Sequence, residues 1–310
     1  MSTILKTFSI ALTVAILFAA CNKNKDEEIA SGTTGSLLWK LTSNGTLTIS
    51  GNGAIPNYAW NGAYYDTPWY SHCESIKTVV IAEGVTSIGY FTFSGCGLTS
   101  ITIPNSITSI GDNAFERCIN LTSVTIPDSV TSIGNFAFFG CNSLASISIP
   151  NSVTSIGGDA FCNCISLKSI TIGNGLTSIG GCSGCSSLTS VTIGNSVTSI
   201  RGKAFENCSS LADVTIPNSV TSIGDGAFRN CSSLTSVTIP NNVTSIGQTV
   251  FYNCINLTEV SVLATKPPAL FVLNSFTFPN TIPIYVPQAS LTAYQAADGW
   301  SYYNLQGKVF

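Results

Sequence analysis

Cysteine is the residue type in this chain that could do the most chemistry, because twelve cysteines accompany a single histidine among 310 residues. Two pairs have the spacing of zinc ligands, since Cys162-x-Cys164 is followed by Cys182-x-x-Cys185. Cysteines of exported proteins also tend to form disulfides. The spacing by itself leaves a zinc site, a disulfide between Cys162 and Cys182, and unpaired thiols open.

The histidine and the acidic residues offer less chemistry. Catalysis by a Ser-His-Asp or Cys-His group would have to use His72, and the sequence contains no G-x-S-x-G nucleophile motif. A glycosidase needs two facing carboxylates at a set separation, whereas the acids here are scattered through turns, as at Asp112, Asp159 and Asp225. A net charge of −3 gives no basic surface for nucleic acid. We therefore expect neither an enzyme nor a nucleic-acid partner.

The cysteines also mark a repeat, because nine of them recur at intervals of 21 to 23 residues. Aligning the intervals places Cys164 and Cys185 at the position that is cysteine in every unit, which indicates small buried packing residues. Cys182 falls at a position that is phenylalanine in other units, so Cys162 is the one extra cysteine of the repeats. We therefore expect a buried, reduced column of cysteines and no metal site. The nine positions are Cys73, Cys96, Cys118, Cys141, Cys164, Cys185, Cys208, Cys231 and Cys254.

Each unit carries the pattern of a short β-strand. In the unit that starts at Cys231, Val237 and Ile239 alternate with Ser236 and Thr238, as in a strand with one buried face, and a proline follows. One unit cannot bury its apolar residues alone, whereas stacked units can. Stacking at about 4.8 Å per coil would give a mainly β solenoid of about nine coils of roughly 23 residues.

The repeat pattern Cys-x-x-Leu-x-Ser-Val-x-Ile-Pro-x-x-Val-x-x-Ile-Gly-x-x-Ala-Phe resembles the BspA-like class of leucine-rich repeats, and the match covers residues 73–262. The resemblance implies a right-handed leucine-rich-repeat solenoid with N- and C-terminal caps. It also implies a protein of a microbial surface, since several members of the class are linked with adhesion to host matrix proteins or to other cells. No catalytic residues come with the resemblance, and we expect no cofactor.

The segments that flank the repeats have the patterns of caps. Residues 36–72 are predicted to form the N-terminal cap, with a hairpin of residues 37–41 and 46–49 across an Asn-Gly turn. Residues 263–310 are predicted to form the C-terminal cap, with a short helix at residues 291–297. Both caps would cover strand edges that a solenoid otherwise exposes.

One unit is shorter than the others. The stretch of residues 180–185 lacks two residues and has Cys182 in place of the phenylalanine. Either the coil narrows or a void opens there. We therefore expect this coil to be the weakest junction between the two halves of the array.

The start of the chain has the organisation of an export signal. Lys6 precedes an apolar run at residues 8–20, which is shorter than the roughly 20 residues of a membrane span. Residues 1–20 are therefore predicted to be a signal peptide. The segment Phe18-Ala19-Ala20-Cys21 resembles the lipobox of bacterial lipoproteins, which implies lipidation of Cys21. A plain secreted protein is the alternative.

The residues after Cys21 are polar and charged, so residues 21–35 are predicted to be a lipidated tether. Lys25-Asp26-Glu27-Glu28 resembles the signal that sends some Gram-negative lipoproteins to the cell surface. We therefore expect a lipid-anchored outer-membrane protein that faces the cell exterior and contacts the membrane through its anchor only.

Two surfaces are candidates for binding. On the outward face of the strands, hydroxyls repeat from coil to coil, although such residues also serve simply to keep a solvated face polar. The aromatic stretch before the first coil could stack on sugar rings, anchor a protein, or plug the first coil. The candidates on the strand face are Ser123, Thr125, Thr192, Thr215 and Thr238. Those of the aromatic stretch are Tyr58, Trp60, Tyr64, Tyr65, Trp69 and Tyr70.

The sequence is compatible with two functions. The first is a surface lipoprotein that mediates protein–protein binding or adhesion to host or neighbouring-cell components, with an extracellular matrix or cell-surface protein as partner. The alternative is a surface lipoprotein that binds glycans.

Lipidation of Cys21 can be tested by metabolic labelling. Cells that express the chain and take up a radiolabelled fatty acid should transfer label to the wild-type protein and not to Cys21→Ala, because the thiol is the predicted acylation site. Label that persists in Cys21→Ala would contradict the lipoprotein prediction.

Overall fold

The structure, a computed structural model, describes residues 26–63, 65–271 and 277–310. The predicted signal peptide, Cys21 and Tyr64 lie outside the described residues. Short parallel strands follow one another around a solenoid of coils of about 23 residues, so the predicted mainly β solenoid is confirmed. In the described ranges, no helix has both the length and the apolar character needed to span a bilayer.

Two rows of strands run along the solenoid. The first row consists of β1 (Glu28–Thr34), β2 (Leu37–Thr42), β3 (Thr46–Gly51), β5 (Thr78–Ile81), β7 (Ser100–Thr102), β10 (Ser146–Ile149), β12 (Ser169–Ile172), β14 (Ser190–Thr192), β17 (Ser236–Ile239), β19 (Glu259–Val262), β21 (Pro283–Pro287) and β22 (Asn304–Lys308). The second row consists of β4 (Gly53–Ala54), β6 (Val85–Ile88), β8 (Ser109–Ile110), β9 (Ser132–Ile133), β11 (Ser155–Ile156), β13 (Ser178–Ile179), β15 (Ser199–Ile200), β16 (Ser222–Ile223), β18 (Ser245–Ile246) and β20 (Ala269–Leu270).

The strands pair in the register that the repeat predicts. In β17, Val237 and Ile239 are buried while Ser236 and Thr238 are exposed. β17 pairs in parallel with β19, so that Val237 lies opposite Val260. A shift of one residue would turn the buried side chains outward, and burial therefore fixes this register.

A column of aromatic rings fills the centre of the solenoid. Neighbouring phenylalanine rings of the column are stacked with centroids 5.0 to 5.6 Å apart. Trp69 covers one end, 5.9 Å from Phe93, and Trp300 covers the other, 5.7 Å from Phe278. Cys182 is buried between the two halves of the column. The phenylalanines are Phe93, Phe115, Phe138, Phe161, Phe205, Phe228, Phe251 and Phe278.

The repeat cysteines form a second buried column, as predicted, and from Cys118 onward their thiols do more than fill space. Each thiol donates to the backbone carbonyl at the phenylalanine position of the preceding coil, at 3.1 to 3.3 Å. Cys118, for example, donates to Phe93. Burial raises the pKa of the thiols, to about 12 for Cys185 and Cys254. The column is therefore protonated and able to donate at neutral pH.

The expectation of a wholly reduced column is wrong at its first two positions. Cys73 and Cys96 form a disulfide, with Cα atoms 4.5 Å apart. Equivalent residues of adjacent coils lie at a separation that a disulfide can bridge, so neighbouring members can pair even though nine cannot all do so. The alternative disulfide between Cys162 and Cys182 does not form, because both are free cysteines.

The N-terminal cap begins earlier than predicted. The hairpin is confirmed as β2 and β3, but β1 adds a third, antiparallel strand at residues that were assigned to the tether. Gly32 of β1 lies opposite Trp39, and a Cβ at Gly32 would come within 2.9 Å of the Trp39 indole nitrogen. Glycine therefore lets β1 lie against the ring. The charged start of β1 pairs on the surface, with Glu28 3.1 Å from Lys40.

The C-terminal cap contains the predicted helix, α1 (Leu291–Ala296). The cap is fixed to the last coils by two buried hydrogen bonds. The Tyr294 hydroxyl donates to the Ala264 carbonyl at 2.7 Å, and the Trp300 indole donates to the Pro268 carbonyl at 2.8 Å. Three short 3-10 turns complete the described helices, at Tyr70–His72, Gln288–Ser290 and Trp300–Tyr302.

The short coil keeps its place in the core but loses its pairing in the second row. The Cys182 backbone N–H still donates to the Ala204 carbonyl at 3.0 Å. The second row, in contrast, is interrupted between β11 and β13. The Arg201 guanidinium spans the break, donating to the Ser178 hydroxyl at 2.9 Å and to the Ile156 carbonyl at 3.3 Å.

Hydrogen exchange can test whether the short coil is the weak junction. Amides of residues 178–182 should exchange faster than their counterparts at 132–138 and 222–228. Their coil lacks a phenylalanine ring in the core, and its second-row strand does not pair with the strand of the preceding coil. Arg201→Ala should increase that difference, since it removes the bridge across the break. Lys168→Ala, which changes an exposed lysine of the same coil, is the control, and protection equal to that of the neighbouring coils would contradict the prediction.

Candidate binding surfaces

The predicted hydroxyl residues share one face of the solenoid. Ser123, Thr125, Thr192, Thr215 and Thr238 are all exposed, and they lie at outward strand positions of four coils. Their hydroxyls make no hydrogen bond to any other described residue. Threonines just before the strand behave differently, because hydroxyls such as that of Thr258 donate to the carbonyl of the preceding coil at 3.0 to 3.4 Å. One hydroxyl column thus joins the coils, while the other is available to a ligand.

The first row of strands is interrupted at two coils of this face. Residues 123–126 and 213–216 occupy the strand position, yet neither segment belongs to a sheet. Within the described chain, the backbone N–H and C=O groups of both segments have no hydrogen-bond partner. Backbone groups of this kind are almost always paired in native structures, with protein or with water. The face therefore presents two sets of donors and acceptors that the fold itself does not use.

Proline accounts for the two gaps. In several coils the residue after the strand donates a further bond between coils, as Gly173 does to Ile149 and Leu263 does to Ile239, both at 2.9 Å; among the described residues, the Gly194 N–H makes no such bond. Proline has no N–H and restricts the residue before it. Pro104 follows a strand that is paired over three residues only. The four strand positions that lack pairing with the preceding coil are followed by Pro127, Pro150, Pro217 and Pro240.

An open cleft lies over each gap. The larger, of about 550 Å³, is lined by Ser123, Thr125 and Ser148, among others. The smaller, of about 260 Å³, is lined by Thr215 and Thr238, among others. The two clefts are the places where the face departs from a continuous sheet, and four of the five predicted hydroxyl residues line them.

The aromatic stretch divides into a core part and a surface part. Trp69 is fully buried and donates to the Thr92 carbonyl at 3.0 Å, and Tyr58 packs edge-on against it. Both therefore contribute to plugging the first coil, which is one of the interpretations that the sequence left open for this stretch. Trp60 and Tyr70 are exposed, at 52% and 38% of their surface.

Tyr65 joins the exposed rings into a cluster, and the sequence missed two of its neighbours. Its ring lies 5.1 Å from that of Trp60 and is stacked on Phe91 at 5.1 Å. A cleft of about 620 Å³ beside it is lined by Tyr65, Tyr70, His72 and Glu74, among others. Phe91 and Glu74 belong to the repeat units, and no pattern of the sequence singled them out.

Among the described residues, the cysteines and the histidine are dispersed along the solenoid. In the described part of the chain, no three His, Cys, Asp or Glu side chains are arranged to hold a metal ion. Cys164 and Cys185, which the zinc spacing would require, direct their thiols at backbone carbonyls. The half-exposed Cys162 has a raised pKa, chiefly because of burial.

The sequence profile of the BspA type leucine rich repeat region matches residues 66–183 and 182–281, in six copies. The chain therefore belongs to the BspA-type leucine-rich repeat family, and the predicted resemblance is confirmed. No curated protein that was compared with the chain matches it.

Solved structures agree with this assignment. The chain is similar to a leucine-rich repeat protein from Bacteroides ovatus, with 25% identity and a TM-score of 0.65 over 93% of this chain and 76% of the other. It is also similar to a leucine-rich repeat protein from Eubacterium ventriosum, with 24% identity and a TM-score of 0.58 over 92% and 85% of the two chains. The predicted leucine-rich-repeat fold is thereby confirmed.

Replacing Pro217 by glycine tests the cause of the gaps. Pro217→Gly restores an N–H that can donate to the Ile193 carbonyl, so amides of residues 213–216 should become protected from hydrogen exchange by about tenfold, the effect of roughly one hydrogen bond. The reverse change, Gly173→Pro, should expose residues 169–172 to exchange. Unchanged exchange in both variants would show that proline does not open the sheet.

Proposed function

We propose that the chain is a surface-exposed lipoprotein that binds proteins of a host or of neighbouring cells through the strand face that carries the two gaps. Its BspA-type repeats and its fold support a protein-binding role at the cell surface, because solenoids of this kind present extended faces to partners. The observation that carries the proposal is the unused backbone and hydroxyl groups at residues 123–126 and 213–216.

The arrangement of the gaps favours a protein partner. Four coil steps separate the two segments, through strand positions 146, 169 and 190, so at about 4.8 Å per coil they lie about 19 Å apart. A partner that fills both clefts must therefore extend over at least this distance, as a protein surface does, for which about 800 Å² per side is usual. Backbone amide and carbonyl groups of a partner have the polarity to pair with those of the gaps.

The chemistry of the face suggests broad contact rather than electrostatic steering. Its outward positions are mostly serine and threonine, with Asp128 beside the larger cleft and Asp213 at the smaller. Because few charges are present, association should depend only weakly on salt. Surface display by a lipidated Cys21 would bring this face to partners outside the cell.

Cleft-blocking variants test the proposal. Thr125→Arg combined with Thr215→Arg places a long charged side chain over each gap at exposed positions, so folding should be retained. Binding of the full-length chain to surfaces coated with extracellular matrix proteins should fall at least tenfold, or about 1.4 kcal/mol.

The matched control is Thr86→Arg. Thr86 is an exposed threonine of β6 in the second row, so the same substitution is made in a strand but away from the strand face. Binding that falls equally in the control, or that survives both cleft substitutions, would contradict a role for the gaps.

A further inference from the structure

The cleft at the junction between the N-terminal cap and the first coil is separate from the strand face. It has a volume of about 620 Å³, inside the roughly 300–1,000 Å³ of small-ligand sites. Tyr65 and Tyr70 supply aromatic rings to it, and His72 and Glu74 lie in the same wall. Rings and hydrogen-bonding groups thus converge on one recess.

The aromatic side of the cleft is a rigid platform. The Tyr65 ring contacts the rings of Trp60, Tyr70 and Phe91 at centroid distances of 5.1, 6.4 and 5.1 Å. The loop that carries the platform is closed at its base, because the Asp66 N–H donates to the Ala59 carbonyl at 3.1 Å and the Ala59 N–H donates to the Asp66 carboxylate at 2.7 Å. Trp60 and Tyr70 are exposed, and Tyr65 and Phe91 are half-buried.

The polar side of the cleft is equally fixed. His72 and Glu74 flank Cys73, whose disulfide to Cys96 ties this segment to the next coil. The Ser75 hydroxyl donates to the His72 carbonyl at 2.7 Å, which holds the same turn. Within the described residues, neither the imidazole of His72 nor the carboxylate of Glu74 has a hydrogen-bond partner. Both are thus available to a ligand.

We infer that this cleft binds a sugar ring of a neutral oligosaccharide. A sugar ring has an apolar face of C–H groups that stacks on an aromatic ring, and a rim of hydroxyls that donate to a carboxylate and accept from an imidazole. The platform and the pair His72 and Glu74 offer these two kinds of contact side by side. The cleft would act independently of protein binding at the strand face, so the protein has two sites of different chemistry.

Calorimetric titration tests the inference. The full-length chain in detergent micelles is titrated with neutral oligosaccharides built from glucose, galactose, mannose or N-acetylglucosamine. At least one of them should bind. Its affinity should fall at least tenfold in Tyr70→Ala, which removes a ring, and in Glu74→Gln, which keeps the shape of the side chain and removes the charge.

Tyr252→Ala is the matched control, because Tyr252 is an exposed tyrosine at the other end of the solenoid, 51% exposed. It should bind the oligosaccharide as the wild type does, and the thermal unfolding of all three variants identifies any that fails to fold. Titrations without binding to any of the sugars would overturn the inference. An oligosaccharide affinity that is unchanged in Glu74→Gln and Tyr70→Ala would also overturn it. The same holds if these two variants lose protein binding while the wild type binds no sugar.

Discussion

Stacking of phenylalanine rings from successive coils, on either side of Cys182, is the contact on which the two halves of the solenoid depend. Successive rings can stack only if the chain returns to the same point after each coil. The number of residues per coil is therefore constrained more tightly than the identity of the outward-facing residues. The thiols from Cys118 onward impose the same constraint on coil length, since each donates a hydrogen bond to a backbone carbonyl of the preceding coil. Trp69 and Trp300 then cover ring faces that would otherwise meet water.

The short coil shows that the ring column and the thiol column are separable. Cys182 removes one ring from the stack, yet its carbonyl still accepts the Cys208 thiol at 3.3 Å, as a phenylalanine carbonyl does elsewhere. The two-residue deletion instead affects the second row, where strand pairing is interrupted between β11 and β13. A hydrogen bond from the Arg201 side chain to the Ile156 carbonyl spans this break. A deletion in a repeat protein is thus tolerated where the neighbouring coils still supply contacts on both sides.

Periodicity predicted what depends only on the repeat: the buried columns, the strand register, and the outward direction of Thr125 and Thr238. It could not predict features that break the equivalence of coils. The first two cysteines pair although an alignment treats all nine alike, and β1 forms because Gly32 makes room for Trp39, a contact outside the repeat. The clefts could not be predicted either. In the sequence each proline indicates only where its own strand ends, whereas its missing N–H removes a hydrogen bond to the preceding coil.

The fold tolerates missing hydrogen bonds between coils on the strand face because ring stacking and thiol hydrogen bonds in the interior hold the same coils together. Each absent ladder bond forgoes a net stabilisation of about 0.5–1.5 kcal/mol, and the two gaps leave four inter-coil ladders unformed. The coils at the gaps remain fixed by their rings and thiols, since Phe115 stacks on Phe138 at 5.0 Å and Phe205 on Phe228 at 5.5 Å across the same coils. Proline can therefore expose backbone groups without releasing the coil that carries them. The interior must repeat to hold the fold, whereas the outward positions, the turns and the caps can vary without disturbing it.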